Sequence, residues 1–145
     1  MTTSPNSSRL NLIAKLGLFL ALVGLADTSY LTSKHFLGGT VPCSILNGCE
    51  TVLNSTYSTI GGVPLALLGV IFYLVVAVSL VYFLTSGRAA IFSGLLIWTG
   101  LGFLTSLYLV WLQVAEIKSL CLYCLISAAI STVLFSLTFW AKKIS

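Results

Sequence analysis

Apolar residues fall in four long runs, and the polar intervals between them define the elements. The runs are roughly Leu10–Leu31, Val63–Leu84, Ala89–Val114 and Leu120–Trp140. A helix needs about 20 predominantly apolar residues to cross the hydrocarbon core of a bilayer. Each run meets that length, so the pattern predicts an all-α integral membrane protein, a four-transmembrane-helix bundle spanning residues 10–140. Met1–Arg9 reads as a disordered polar tail, and Ala141–Ser145 as a second tail. Thr85–Arg88 and Ala115–Ser119 are short turns, which make consecutive helices antiparallel neighbours. Spans two to four should therefore form a compact set that the first span closes. Thr32–Gly62 is the one long polar interval, and a connection of that length is expected to carry function. A short helix near Glu50–Thr56 is expected within it. Gly61-Gly62-Val63-Pro64 marks the turn into the second span, with Pro64 suited to a first helical turn.

Composition agrees with the pattern. The 145 residues are 58% hydrophobic and 7% charged, with a mean hydropathy of +1.08. Soluble domains carry about 25% charged residues. The net charge of +4 is no nucleic-acid signal, because the basic residues cap the apolar runs instead of forming a stripe. With alternating spans, Arg9, Lys15, Arg88, Lys142 and Lys143 share one side and Lys34 and Lys118 the other. Basic residues accumulate on the cytoplasmic side. Both termini are therefore expected in the cytoplasm, with Thr32–Gly62 outside. The first run is long enough to span and lacks a small-residue cleavage site, so it reads as a helix and not as a removable signal.

That orientation places all four cysteines, Cys43, Cys49, Cys121 and Cys124, at the outer face. Thiols outside the cytoplasm meet an oxidising compartment. Four cysteines allow three pairings, and spacing does not choose among them. Cys121-Leu122-Tyr123-Cys124 is the informative motif. In the first turns of a helix, its sulfurs lie on adjoining faces one turn apart, and the positive end of the helix dipole stabilises a thiolate. A thiolate attacks disulfides and electrophilic rings alike. Taken alone, C-x-x-C fits a buried pair or a static staple as well as it fits redox work, and for Cys43-x5-Cys49 a static loop disulfide is the lesser alternative. The two pairs on one face favour redox exchange. A zinc site from all four thiolates would need a polar knuckle, whereas half of this set lies in an apolar segment, so no metal is expected.

The combination of Cys43-x5-Cys49, Glu50-x4-Ser55, Gly62-Val63-Pro64-Leu65-Ala66 and Cys121-x2-Cys124 resembles the vitamin K epoxide reductase family, its bacterial and cyanobacterial branch above all. The likeness covers about Leu10 to Trp140. It implies a membrane thiol–disulfide oxidoreductase that oxidises a thioredoxin-like partner and reduces a quinone, whether ubiquinone, menaquinone, plastoquinone or phylloquinone, in support of disulfide bond formation. It implies that Cys43 exchanges with the partner, that Cys49 forms the shuttle bond with Cys121, and that Cys124 faces the quinone. Ser55 matches a family serine near the quinone, although a helix cap explains it equally well.

Two features depart from the family. Many bacterial relatives continue into a fifth span and a fused thioredoxin-like domain, whereas this chain ends at Ser145, so a stand-alone form with a separate extracytoplasmic partner is expected. Animal members carry a tyrosine four positions after the last active cysteine, where Ala128 stands here. Disulfide generation is thereby favoured over a dithiol-driven quinone or vitamin K epoxide reductase. Outside the enzyme class, the alternatives are a structural membrane protein with static disulfides and a metal-binding one. The resemblance points to a bacterial plasma membrane or a thylakoid.

A quinone head needs a flat apolar cleft with a few hydrogen-bond donors. Tyr57, Trp111 and Tyr123 are the candidate wall residues beside Ser55, with Tyr73 and Tyr108 behind them. Trp and Tyr also gather at membrane interfaces without any ligand. Trp98 reads as packing, His35 as a solvated loop histidine, and Asp27 as an interfacial carboxylate beside Thr28 and Ser29.

Overall fold

The computed structural model describes residues 5–37, 59–60, 63–117 and 122–144. Helices α1 (Pro5–Leu37), α2 (Leu65–Ser86), α3 (Ile91–Leu112) and α4 (Leu122–Ile144) make up nearly all of these residues. Each holds a stretch long and apolar enough to cross a membrane. The chain is a multi-pass membrane protein with an all-helical, four-span architecture. Before α2, β1 (Thr59–Ile60) pairs antiparallel with β2 (Val63–Pro64), Thr59 opposite Pro64 and Ile60 opposite Val63. Pro64 thus immediately precedes the helix, one position short of the first helical turn expected for it. The short helix anticipated near Glu50–Thr56 lies outside the described residues.

Helix ends follow local chemistry more than hydropathy. α1 has 33 residues, or about 50 Å at 1.5 Å per residue, against a hydrocarbon core of roughly 30 Å. It opens on Pro5, a residue pre-shaped for a first turn, inside the stretch expected to be a disordered tail. Its described extent passes Leu31 to Leu37, because Thr32–Leu37 is polar without being helix-breaking. His35 therefore belongs to the last turn of α1 and not to a loop. α2 ends at Gly87, whose φ of 71° is left-handed backbone that glycine adopts without a Cβ penalty. The Gly87 N–H donates to the Phe83 carbonyl at 2.7 Å, and Ser86 Oγ donates to the Tyr82 carbonyl at 2.7 Å. α3 continues into a wider π-helical turn, Gln113–Ile117, which takes up the start of the turn expected at Ala115–Ser119.

Packing centres on α1. Its buried positions Leu10, Ala14, Gly17, Ala21, Gly24, Thr28 and Leu31 recur every three or four residues. They form a stripe of mostly small side chains, which lets neighbouring backbones come close. α1 packs extensively on α2 and also on α4, α3 packs mainly on α4, and α2 and α3 meet less. The first span thus lies between two partners and does not merely close a set of three. Tyr73, Val76, Leu80 and Phe83 supply the facing stripe of α2. Phe19, Val78, Ile97 and Leu104 point outward and are more than half exposed. That is the disposition of side chains that face lipid tails. Trp98 does pack: its ring stacks on Phe72 with centroids 6.0 Å apart, and Nε1 donates to the Phe72 carbonyl at 3.2 Å.

A hydroxyl pair ties α3 to α4. Thr99 Oγ1 and Thr138 Oγ1 are buried 2.8 Å apart, and each is also within bonding distance of its own helix, at Leu95 O (2.7 Å) and Leu134 O (3.0 Å). A hydroxyl has one proton, so one threonine donates across the interface while the other bonds back to its carbonyl. Thr99→Val should cost only about 0.6–1.7 kcal/mol, the scale of interhelical hydrogen bonds in membranes, since Thr138 retains the Leu134 carbonyl. Unfolding of the detergent-solubilised variant measures this, and a loss several times larger would show that the pair holds the bundle together.

Candidate active site

Cys124 is the third residue of α4 and is half-buried. The apolar run begins at Leu120 and the helix is described from Leu122, so Cys124 lies at the N-terminal end of α4 as described. Beside it, the Tyr123 ring meets Tyr30 of α1, centroids 5.6 Å apart and tilted by 45°. Lys34, one turn further along α1, holds its ammonium 5.6 Å from the Tyr30 ring centroid. This end of the bundle therefore brings together Tyr30 and Lys34 from α1 and Tyr123 and Cys124 from α4. Arg9, Arg88, Lys142 and Lys143 lie at the opposite end.

One turn deeper, Tyr73 of α2 joins the same group. Its side chain is 1% exposed, and its hydroxyl lies 2.8 Å from both the carbonyl and Oγ of Ser127. The phenol donates to the carbonyl while the serine hydroxyl donates to the phenol, or the phenol donates to Oγ alone. The ring reaches that point because Gly24 of α1 has no side chain. A Cβ there would lie 2.5 Å from Tyr73 Cε1 and 2.6 Å from Cζ. Tyr73 thereby fixes the α4 turn that contains Cys124 against both α1 and α2.

The bond has a consequence for Ser131. Serines inside helices usually donate back to the carbonyl four residues earlier, which here is Ser127 O, already accepting from Tyr73. Ser131 Oγ is buried and has no hydrogen-bond partner among the described residues. Asp27 Oδ2 is the other such atom. Asp27 is half-buried with one enclosed oxygen on a helix that continues to Leu37, so it packs within the bundle and is not simply solvated at a helix end.

Of the residues expected at the site, Tyr123 and Cys124 adjoin on α4. Trp111 instead stacks on Tyr108, centroids 6.2 Å apart, with both rings more than half exposed on α3. Cys43, Cys49, Ser55, Tyr57 and Cys121 lie outside the described residues. Tyr30, Ser127 and Ser131 escaped the sequence reading. For Ser127 the available signal was its place three residues after Cys124, and for Tyr30 a lone aromatic at the polar end of α1.

Comparison with known proteins bears on the whole of this framework. The profile described as the Vitamin K epoxide reductase family matches residues 15–139. The chain is also similar to the thiol-disulfide oxidoreductase LTO1 of Arabidopsis thaliana, with 35% identity over 125 residues, which covers 79% of this chain. It spans about a third of that relative, 32% of its length.

Proposed function

The chain belongs to the vitamin K epoxide reductase family, and on that premise we propose that it is a membrane thiol–disulfide oxidoreductase that generates disulfides at the expense of a quinone. Electrons enter from the dithiol of a thioredoxin-like partner, whose thiolate attacks the Cys43–Cys49 disulfide. Cys49 then attacks Cys121 and passes reduction to the C-x-x-C pair. Cys124, facing the quinone, hands over two electrons as its bond to Cys121 re-forms. Each exchange breaks one S–S bond and makes another, and direction follows relative reduction potential, with about 30 mV per tenfold for a two-electron couple.

The observation that carries this reading is the placement of Cys124. It stands at the N-terminal end of α4, half-buried, beside the Tyr30–Tyr123 ring pair. Quinone chemistry suits these surroundings. The ring pair offers flat apolar surface, and Ser131 Oγ and Asp27 Oδ2 are enclosed polar atoms with no hydrogen-bond partner among the described residues. When bound, a quinone supplies a two-electron, two-proton acceptor. Ser55, Tyr57, Tyr123 and Trp111 are the proposed contacts, with Tyr123 favoured by its place next to Cys124. Ala128 in place of the tyrosine of animal members argues against vitamin K epoxide as the substrate. The excess of basic residues at the end of the bundle opposite Cys124 supports cytoplasmic termini and an outward-facing site, in a bacterial plasma membrane or a thylakoid.

The test is quinone reduction by purified protein in detergent, followed by absorbance, with a reduced thioredoxin-like donor. Turnover supports the relay. If none occurs with several quinones and donors, and the cysteines stay oxidised whatever the quinone state, the disulfides are static. A second variant separates the two pairs: Cys43→Ala should abolish turnover with the protein donor yet retain it with a small dithiol that reaches Cys121–Cys124 directly. Equal loss with both donors would contradict that division of labour.

A further inference from the structure

Asp27 is one of three acidic residues in the chain, and its position in the bundle gives it a use beyond the exchange of electrons. Two contacts fix the antiparallel register of α1 on α4: Leu134 lies beside Gly17, and Tyr123 meets Tyr30. Between those points, Asp27 falls level with the Cys124–Ser127 turn. Tyr73, from the third helix at this place, bonds that turn and packs on Gly24, three residues before Asp27. Asp27 Oδ2 is enclosed and unpartnered among the described residues, as is Ser131 Oγ one turn further along α4. An ionisable group inside a span is costly to keep and usually serves a pathway.

We infer that Asp27 is the proton-holding residue of the half-reaction at Cys124, serving it through the Tyr73–Ser127 hydroxyl pair. This rests on the reading of Cys124 as the exit for electrons. Two thiols, Cys121 and Cys124, give up two electrons and two protons as their S–S bond forms, and both pairs pass to the quinone, which departs as the quinol. Protons do not cross a bilayer interior unaided, so one must be held while the bond closes. In the reduced pair Asp27 holds the proton that Cys124 gives up as a thiolate, passes it to the acceptor oxygen while Cys121 supplies the other, and regains one only when a dithiol next reduces the pair. Tyr73 and Ser127 carry the proton between Asp27 and the Cys124 turn. The other titratable groups facing Asp27 among the described residues are Tyr73 from α2, Tyr123 and Cys124 from α4, and Tyr30 and Lys34 on its own helix.

The decisive experiment needs no quinone. Infrared difference spectra of the full protein, recorded as dithiothreitol reduces the cysteines, should contain a carboxyl C=O band that shifts in Asp27→Glu and vanishes in Asp27→Asn. In parallel, Asp27→Asn should lower kcat for quinone reduction by about 10²-fold, the scale of general acid–base catalysis, with KM little changed. It should also lose one ionisation from the pH profile, while Asp27→Glu recovers most of the rate. A purely structural role would move the rate without removing that ionisation or the band. Absence of the band in wild-type protein, or an unchanged kcat and pH profile in Asp27→Asn, overturns the inference. If the wild-type protein reduces no quinone, the proposed function fails, and the infrared band alone decides whether Asp27 exchanges a proton with the cysteines.

Discussion

Replacing Cys124 with alanine is expected to reduce quinone turnover to the rate of the uncatalysed dithiol–quinone reaction. Deleting an essential nucleophile costs on the order of 10⁴-fold or more. Alanine leaves a small void at a half-buried position at the N-terminal end of α4, so the fold should survive. Stopped turnover with unchanged helical content and unfolding temperature is the outcome that assigns the exit to this sulfur. Exchange between the thioredoxin-like donor and Cys43–Cys49 should persist for a single round, since those steps do not use Cys124. Full activity in the variant would remove it from the role and direct attention to Cys121.

The second large effect concerns stability. Gly24→Val should destabilise the bundle by about 3 kcal/mol or more, the upper range of overpacking a filled interior. A Cβ at Gly24 would lie 2.5 Å from Tyr73 Cε1, and valine adds two methyls beyond it. The ring cannot easily swing aside, because it is 1% exposed and its hydroxyl is held at Ser127. Either α1 lifts away from α2 or the bond to α4 is lost. Unfolding in detergent measures the cost, and the companion variant Gly24→Val with Tyr73→Ala should recover much of it by removing the ring. An unfolding temperature equal to that of the wild type would mean that α1 and α2 do not approach closely here. A double variant no better than the single would place the clash elsewhere.

The four spans were legible because lipid imposes a length and a composition that the chain cannot disguise; of the C-x-x-C pair that the spacing singles out, Cys124 lies at the start of α4 and Cys121 outside the described residues. Helix-to-helix pairing was not. In a soluble protein, apolar periodicity shows which face turns inward. Here both faces of α2 and α3 are apolar, so the buried stripe of Tyr73, Val76, Leu80 and Phe83 has no polar stripe opposite it to reveal it. The informative residues are instead the small ones of α1, Ala14, Gly17, Ala21 and Gly24, whose spacing marks close approach. The polar stretch after Leu31 misled for a related reason. Polarity ends a span without ending a helix, and no glycine or proline falls between Leu31 and Leu37 to break this one. The Tyr73–Ser127 bond joins residues 54 positions apart, which no local pattern encodes.

That bond also sets an order of events during synthesis. The chain emerges from its N-terminus, so α1 and α2 can enter the bilayer and pair across Gly24 and Tyr73 while the rest is still being made. The Tyr73 hydroxyl then waits for its partner, which arrives only with the last helix, and α4 brings Ser127 and Cys124 together, three residues apart. A nascent or truncated chain lacking α4 would thus lack both the anchoring carbonyl and Cys124, the proposed exit sulfur. On the proposed relay, assembly in the membrane would double as a checkpoint, in which electrons find their way out only once the final helix has docked.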